Sequence, residues 1–240
     1  MHPFQIEERR GASVLWFKGA THRHYEDRYR LLSCDVPLVA ASGVGEVFAV
    51  ADGVGSAPLG MSAAQHLCDR LAQVYGQGGK ESSSQRLRDL LVSVNREVHD
   101  WGFIEGTDRP AGACAATVVL LEPTHTRGVI AHAGDTRAAL IRDGRCQILT
   151  PLDQSVDGAL RCYFGTPAPS FTILPVSIEL GDRLLLVSDG VTKSFGMAEL
   201  AAMLESQPTR RRSLQALGQA CVRRPSGDDV TALVIDVGED

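Results

Sequence analysis

The segment Val47-Phe48-Ala49-Val50-Ala51-Asp52-Gly53-Val54-Gly55-Ser56 is an apolar, strand-like run that ends on an aspartate and a glycine. Similar junctions occur at residues 129–135 and 184–190, and residues 227–237 show the reverse order, with the aspartates first. Carboxylates do not stabilise an apolar strand, and several at one sheet edge repel one another unless cations lie among them. The sequence therefore predicts a metal site with oxygen ligands at the edge of a sheet.

Composition restricts the class of protein. The 240 residues are 44% hydrophobic, which is enough for one domain spanning residues 1–240 with a packed core. A net charge of −5 does not suit a nucleic-acid partner, and the six scattered cysteines predict reduced thiols rather than zinc ligands or disulfides. No leader pattern opens the chain and no apolar run reaches the length of a membrane span. We therefore expect a monomeric, cytoplasmic protein without a membrane partner.

The order of the predicted elements favours one fold class. Apolar runs predict strands at residues 13–17, 36–41, 46–51, 115–121, 128–133, 137–142, 145–149, 171–178, 183–188 and 230–237. Helical periodicity covers residues 62–75, 85–101, 197–204 and 209–222, with a flexible polar link at 76–84. Ser62 and Gln65 predict a capping box, and Asp143-Gly144 predicts a two-residue hairpin. Grouped strands with grouped helices indicate an α+β fold with antiparallel sheet.

Five short motifs stand in a distinctive order: Glu26-Asp27, Asp52-Gly53-Val54-Gly55-Ser56, Gly134-Asp135-Thr136-Arg137, Ser188-Asp189-Gly190 and Gly227-Asp228-Asp229-Val230-Thr231. Together they resemble the motifs of the metal-dependent serine/threonine protein phosphatases, the PPM or type 2C family, in its compact bacterial form. Residues 19–22 and 149–155 resemble two further segments of that family, so the resemblance spans residues 19–237. It implies an α-β-β-α four-layer sandwich of two mostly antiparallel sheets flanked by helical pairs.

The resemblance also implies a set of metal ligands, namely Glu26, Asp27, Asp52, Gly53, Asp135, Asp189 and Asp228. Asp52 would bridge two cations, and Gly53 would present its backbone carbonyl to one of them. Asp135 corresponds to the residue that helps to hold a third, weaker cation. Hard oxygen ligands suit Mn²⁺ or Mg²⁺.

The implied activity is hydrolysis of phosphoserine or phosphothreonine on proteins by a metal-activated water, with no covalent phosphoenzyme. Asp52, Asp189, Asp228 and His22 are the implied catalytic residues. The expected partners are a phosphorylated protein substrate and a bacterial serine/threonine kinase whose action the enzyme opposes. Two alternatives stay open: a phosphatase-like regulatory or binding module with little turnover, and a dinuclear hydrolase of small phosphate esters.

The first motif departs from the family pattern. His22 stands where the family often carries an arginine that contacts substrate phosphate, although Arg23 and Arg28 are close in sequence. Tyr25 stands where asparagine is usual, and Val54 where some relatives have a histidine proposed as a general acid. A histidine at position 22 could bind phosphate or donate a proton, since its charge changes near neutral pH.

Other polar residues are predicted to be structural. Asp143 and Asp182 are interpreted as turn residues, and His132 as a core histidine with satisfied hydrogen bonds. Asp229 stands where the family usually has asparagine, so it is expected to support the ligands rather than to bind metal.

Overall fold

The computed structural model describes residues 3–76, 81–168 and 170–238. The strands are β1 (Gln5–Arg9), β2 (Ala12–Phe17), β3 (Arg28–Leu32), β4 (Glu46–Gly53), β5 (Cys114–Leu121), β6 (Arg127–Ala133), β7 (Arg137–Arg142), β8 (Arg145–Ile148), β9 (Thr172–Ser177), β10 (Arg183–Val187) and β11 (Val230–Asp236). The helices are α1 (Pro37–Ser42), α2 (Gly60–Arg70), α3 (Ser83–His99), α4 (Asp189–Thr192), α5 (Met197–Glu205) and α6 (Arg210–Arg223). A short 3-10 helix, η1 (Leu71–Tyr75), extends α2. The centre of the predicted link at 76–84, residues 77–80, lies outside the described residues.

Two antiparallel sheets form the middle of the molecule. One has the strand order β1-β2-β11-β10-β7-β8, and the other has the order β3-β4-β5-β6-β9. Every pairing within them is antiparallel. The α+β prediction is therefore confirmed.

Three apolar clusters separate four layers. One cluster joins α2, η1 and α3 to the sheet that contains β4, and Leu67 and Leu91 belong to it. A second joins α5 and α6 to the sheet that contains β10, and a third, which includes Phe48, lies between the two sheets. The layer order is helices, sheet, sheet, helices, so the predicted α-β-β-α sandwich is also confirmed.

Strand β4 shows why an uninterrupted apolar run is a strand in this fold. Val47 and Ala49 face the helices, whereas Phe48 and Val50 face the other sheet. Both faces are buried, so the sequence does not alternate between apolar and polar residues. The period of two places Asp52 on the same face as Phe48 and Val50, which is the face between the sheets.

Two local predictions are wrong. Residues 36–41 form helix α1 rather than a strand, because Pro37 starts the helix and Gly43, at φ 65°, ends it in the left-handed conformation. Helix α2 begins at Gly60, two residues before the predicted start, and no side chain caps its amino end. Ser62 therefore lies inside the helix, and the predicted capping box with Gln65 is absent.

The hairpin between β7 and β8 agrees with its prediction. Asp143 and Gly144 have φ values of 49° and 75°, the sign that a two-residue turn of this kind requires, and Arg142 pairs with Arg145. Among the described residues, no helix combines the length and the hydropathy that a membrane crossing requires.

Candidate metal centre

The predicted aspartates gather at one end of the layer between the two sheets. Asp52 is the penultimate residue of β4 and pairs with Ala115 of β5. Asp135 lies in the connection between β6 and β7, and Asp189 is the first residue of α4, directly after β10. One carboxylate oxygen from each of these three residues lies within 4.8 Å of the others. The two sheets thus bring together residues that are 83 and 54 positions apart in sequence.

Without cations these carboxyl groups repel one another. Burial, together with the charges of Asp27 and Asp189, raises the pKa of Asp52 well above its ordinary value. Burial is also the main reason that the pKa of Asp27 rises to about 7 and that of Asp135 to about 6. A bound cation would reverse this effect, because it stabilises the ionised forms.

Two buried carboxylate oxygens have no hydrogen-bond partner among the described residues: Asp27 Oδ1 and Asp189 Oδ1. Buried acceptors are normally paired, and an unpaired one costs free energy. The other oxygen of Asp27 accepts a hydrogen bond from Thr231 Oγ1 at 2.6 Å, so this carboxylate is held in place with one oxygen spare. Spare, fixed, hard oxygens beside the Asp52 cluster fit Mn²⁺ or Mg²⁺.

Asp228 lies beside this cluster and is joined to it by Lys193. Lys193 Nζ is 2.6 Å from Asp189 Oδ2 and 2.6 Å from Asp228 Oδ2. Burial opposes ionisation of Asp228, but the hydrogen bond from Lys193 and the lysine charge lower the pKa of Asp228 overall. Sequence reasoning missed Lys193, although its position four residues after Asp189 at the start of a helix places the two on one face.

The two remaining predicted ligands occupy different positions. Gly53 lines the cleft beside Asp52, and a Cβ atom there would meet the backbone of Gly60 and Met61 at 2.6 Å, so a larger residue does not fit. The backbone amide of Glu26 donates to Asp229 Oδ2 at 2.6 Å. The Glu26 carboxylate does not belong to the cluster of Asp52, Asp135 and Asp189, the one such group found among the described residues.

Asp229, the residue before β11, links this strand to the segment that contains Gly19 and Glu26. Its side chain is 1% exposed and accepts hydrogen bonds from the backbone amides of Gly19, at 2.7 Å, and Glu26. This arrangement fixes the first acidic motif against β11, and with it Asp27. The interpretation of Asp229 as a support for the ligands agrees with these contacts.

His22 lies in the same cleft as the aspartates. It contributes to the wall of a cleft of about 220 Å³ that also contains Asp52, Asp189 and Asp228. Its ring nitrogens face two carboxylates, with Nε2 3.2 Å from Asp228 Oδ1 and Nδ1 3.1 Å from Asp229 Oδ2. Burial lowers the pKa of His22, but the contacts with Asp229 and Asp228 outweigh burial and raise it.

Tyr25, the second departure, is part of the support for Asp27. Its hydroxyl is 2.6 Å from Thr231 Oγ1, the same hydroxyl that donates to Asp27 Oδ2. Because the threonine proton is used on Asp27, Tyr25 donates to Thr231. The tyrosine ring also packs against Trp16, with centroids 5.0 Å apart.

His132 is buried in β6. Its Nδ1 contacts Thr117 Oγ1 at 2.9 Å, while Nε2 has no hydrogen-bond partner among the described residues and lies 3.6 Å from Asp153 Oδ2. Burial lowers the pKa of His132 to about 4, so the ring is neutral. The prediction of a core histidine is correct, but its hydrogen bonding is only half satisfied.

Comparisons with known proteins agree with this architecture. A protein of Streptococcus pyogenes serotype M6, provisionally named as a type 2C protein phosphatase, is 26% identical to this chain over 216 residues. The alignment covers 80% of this chain and 86% of that protein. The structure of the Streptococcus agalactiae serine/threonine phosphatase superposes with a TM-score of 0.78 at 20% identity, over 97% of this chain and 100% of that one. PppA, a regulatory component of type VI secretion in Pseudomonas aeruginosa, superposes with a TM-score of 0.79 at 20% identity and the same coverage.

The sequence profile of the family described as protein phosphatase 2C matches residues 33–224, which is most of the chain. The match covers Asp52, Asp135 and Asp189, the three aspartates whose carboxylates meet. The resemblance of the motifs to the type 2C phosphatases is confirmed. The enzyme class, protein serine/threonine phosphatase, is confirmed as well. The chain belongs to the protein phosphatase 2C family.

Proposed function

We propose that this protein removes phosphate from phosphoserine or phosphothreonine residues of proteins and uses two divalent cations, Mn²⁺ or Mg²⁺. The observation that carries the proposal is the convergence of the Asp52, Asp135 and Asp189 carboxylates, with the spare oxygens of Asp27 and Asp189 beside them. When bound, the cations would neutralise the phosphoryl oxygens and lower the pKa of the attacking water. Asp135 is positioned for a third, weaker cation, and Gln154 Nε2 holds one of its oxygens at 2.5 Å.

The residues of the chain have separate tasks in this proposal. Asp52, Asp27 and Asp189 bind the cations. Asp228, whose carboxylate contacts Lys193, supplies a further ligand. Glu26 takes part through its backbone, by fixing the first motif to Asp229.

His22 and the metal ligands share the cleft, so the proposal places the phosphate there, beside the histidine. Both ring nitrogens of His22 face carboxylates, which raises the pKa of the ring and favours its protonated form, and that form attracts a phosphate. Lys193 lines the same cleft, but its Nζ is held between the carboxylates of Asp189 and Asp228.

The proposal extends to the setting of the reaction. A phosphoprotein substrate implies a serine/threonine kinase that the enzyme opposes, and we propose such a pair. All six cysteines are free, which suits the reducing cytoplasm, and we propose that the enzyme acts there as a monomer.

Turnover of a phosphothreonine peptide tests the proposal. We expect hydrolysis with Mn²⁺, loss of activity with excess chelator and recovery when Mn²⁺ is restored. Asp228→Asn should lower kcat at least ~100-fold, because metal binding supplies several kcal/mol of transition-state stabilisation. Equal, near-background rates for both proteins on several phosphopeptides would favour the binding-module alternative. Activity confined to small phosphate esters would favour the dinuclear esterase.

The role of His22 gives a further prediction. His22→Ala should raise the KM for a phosphothreonine peptide about 10-fold, since a charge-assisted hydrogen bond to phosphate contributes about 1.5 kcal/mol. His22→Arg should keep KM near that of the wild type. In the wild type, KM should rise with pH above the elevated pKa of His22, where the ring loses its charge.

His24→Ala is the matched control, because His24 is exposed and lies two residues away. An unchanged KM with a lower kcat for poor leaving groups would make His22 a proton donor instead. If neither His22 variant changes the kinetics, Arg23 becomes the better phosphate ligand, because Arg28 is engaged with the backbone carbonyls of Tyr25 and Asp27.

A further inference from the structure

A second cavity, of about 340 Å³, opens beside the catalytic cleft. The two share Asp135, Asp189 and Lys193, so a chain bound at the cleft can reach the second cavity directly. The remaining wall combines the apolar side chains of Leu152, Phe195 and Met197 with the polar side chains of Arg137, Gln154 and Thr192. Its volume is sufficient for one or two amino-acid side chains, and the hydrolysis proposed for the cleft does not use it.

Arg137, the first residue of β7, lines this cavity and forms no ion pair with the described residues. Its Nη1 atom is buried and makes no hydrogen bond, and no carboxylate among the described residues lies within 4.0 Å of the guanidinium. Two other arginines of the same sheet are paired: Arg142 binds Asp182 and Arg183 binds Asp236. Arg137 is half-buried, but its Nη1 atom is shielded from water and lacks an acceptor. An unpaired buried donor costs free energy, so an anion from outside the chain would complete the site.

The neighbouring charged groups are already engaged. Lys193 Nζ is held between Asp189 and Asp228. The Asp153 carboxylate lies 3.6 Å from the neutral ring of His132 and accepts a long hydrogen bond from the backbone amide of Gly134 at 3.4 Å. Its charge also acts on Arg137, but without an ion-pair contact. Arg137 is therefore the cation that remains available to a ligand in this cavity.

We propose that this cavity, which we call the Arg137 pocket, binds an anionic side chain of the phosphoprotein substrate, close in sequence to the phosphorylated residue. The apolar wall suits the methylene stem of such a side chain, and the guanidinium suits its carboxylate or phosphate tip, which it can bind through two parallel hydrogen bonds. The amino end of helix α5, which has no side-chain cap, begins at the same cavity and favours negative charge. The two cavities share part of their walls, so a residue close in sequence to the phosphorylated one can reach Arg137. The inference rests on the proposed function, whose cleft supplies the anchoring phosphate.

Binding of matched peptides to the metal-loaded protein tests the Arg137 pocket. The probes carry a phosphonate analogue of phosphothreonine, which is not hydrolysed, and either glutamate or glutamine at each nearby position in turn. We expect glutamate to lower Kd about 10-fold at one or two positions and to have no effect at the others. A peptide with a second phosphonate at the same position should bind at least as tightly as the glutamate peptide. Because binding is measured and not turnover, this preference survives even if the protein proves to have no phosphatase activity.

Variants assign the preference to a residue. In Arg137→Met, the Kd of the glutamine peptide divided by the Kd of the glutamate peptide should fall to about 1. Both values are measured on the same variant, so a change in overall affinity cancels. Arg109→Met is the matched control, since exposed Arg109 lines a different cavity next to the cleft. Loss of the preference in Arg137→Met alone supports the pocket. A position scan without any glutamate preference in the wild type overturns the inference, as does equal loss in both variants, which would indicate only the general field of positive charge.

Discussion

Asp52→Asn is expected to abolish turnover, with kcat on a phosphothreonine peptide reduced at least ~100-fold, and yet to leave the metal-free protein as stable as before or more so. Turnover should be lost because Asp52 is the central ligand of the proposed metal site. The bound cations would stabilise the transition state by several kcal/mol. Stability is kept because burial and the charges of Asp27 and Asp189 disfavour the Asp52 carboxylate in the absence of metal. An asparagine side chain has nearly the same shape and no charge. Removing this repulsion should raise the metal-free Tm by about 2–8 °C, as expected for about 1–2 kcal/mol in a domain of this size.

Steady-state kinetics and thermal melting in chelator measure the two effects. Asp143→Asn is the matched control, because Asp143 is exposed in the β7–β8 turn and asparagine accepts its positive φ. That variant should change neither kcat nor Tm. A fall of several degrees in the metal-free Tm of Asp52→Asn would show that Asp52 stabilises the fold, and would contradict a role confined to metal binding.

The main layers of the fold could be predicted from the sequence because they depend on local patterns. Apolar runs such as that of β4 identified buried strands, and the 3.6-residue periodicity identified α2, α3, α5 and α6. Strands β1 and β3 were missed, because β1 is a mostly exposed edge strand and β3 begins Arg28-Tyr29-Arg30. Neither has the apolar pattern of a core strand. Strand β1 is defined by its pairing with β2, which follows it after a two-residue turn, and β3 by its pairing with β4.

Helix α1 shows a second limit of sequence patterns. Its residues, Pro-Leu-Val-Ala-Ala-Ser, are too few for helical periodicity to be distinguished from a short apolar strand. The informative signals were Pro37 at the first helical position and Gly43 after the last, which together favour a helix. Local chemistry at the ends of a segment was therefore more informative here than the apolar run itself.

For the candidate site, the aspartates were predictable and their supports were not. Asp52 and Asp189 each follow an apolar run directly and precede a glycine, so the sequence alone marks them. Thr231 and Tyr25 support Asp27 through contacts that join residues about 200 positions apart, a relation that no local pattern contains. Lys193 is intermediate, since its spacing from Asp189 is visible in the sequence but its contact with Asp228 is not.

Removal of metal should make the stability of the protein depend on pH in a specific direction. In the metal-free state the pKa of Asp27 is raised to about 7 and that of Asp135 to about 6, mainly by burial. A carboxyl whose folded pKa is raised stabilises the fold fully below its unfolded pKa, near 3.8, and that stability is lost as pH rises through the folded pKa. The metal-free Tm should therefore fall between about pH 4 and about pH 7. His132, whose pKa is lowered from 6.5 to about 4 by burial, acts in the opposite direction over the same range. The lowered pKa values of Glu97, Asp157, Asp182 and Asp228 also act in that direction, but only below about pH 4.5. The raised pKa values of Asp27, Asp52 and Asp135 together outweigh these groups.

Mn²⁺ should remove this dependence, because a cation stabilises the ionised carboxylates that the folded protein otherwise disfavours. At a free concentration about 1,000 times its Kd, a ligand adds about 4 kcal/mol to the free energy of unfolding, which corresponds to about 8–16 °C in a domain of this size. Melting curves with chelator and with Mn²⁺ should thus differ strongly at about pH 7.5 and little at about pH 4.5, where protons compete for the same oxygens. Asp27→Asn should flatten the metal-free curve, since it removes one of the titrating groups. A metal-free Tm that rises across this range, or one that Mn²⁺ leaves unchanged at pH 7.5, would mean that the aspartates are stabilised by the protein alone and do not form a metal site.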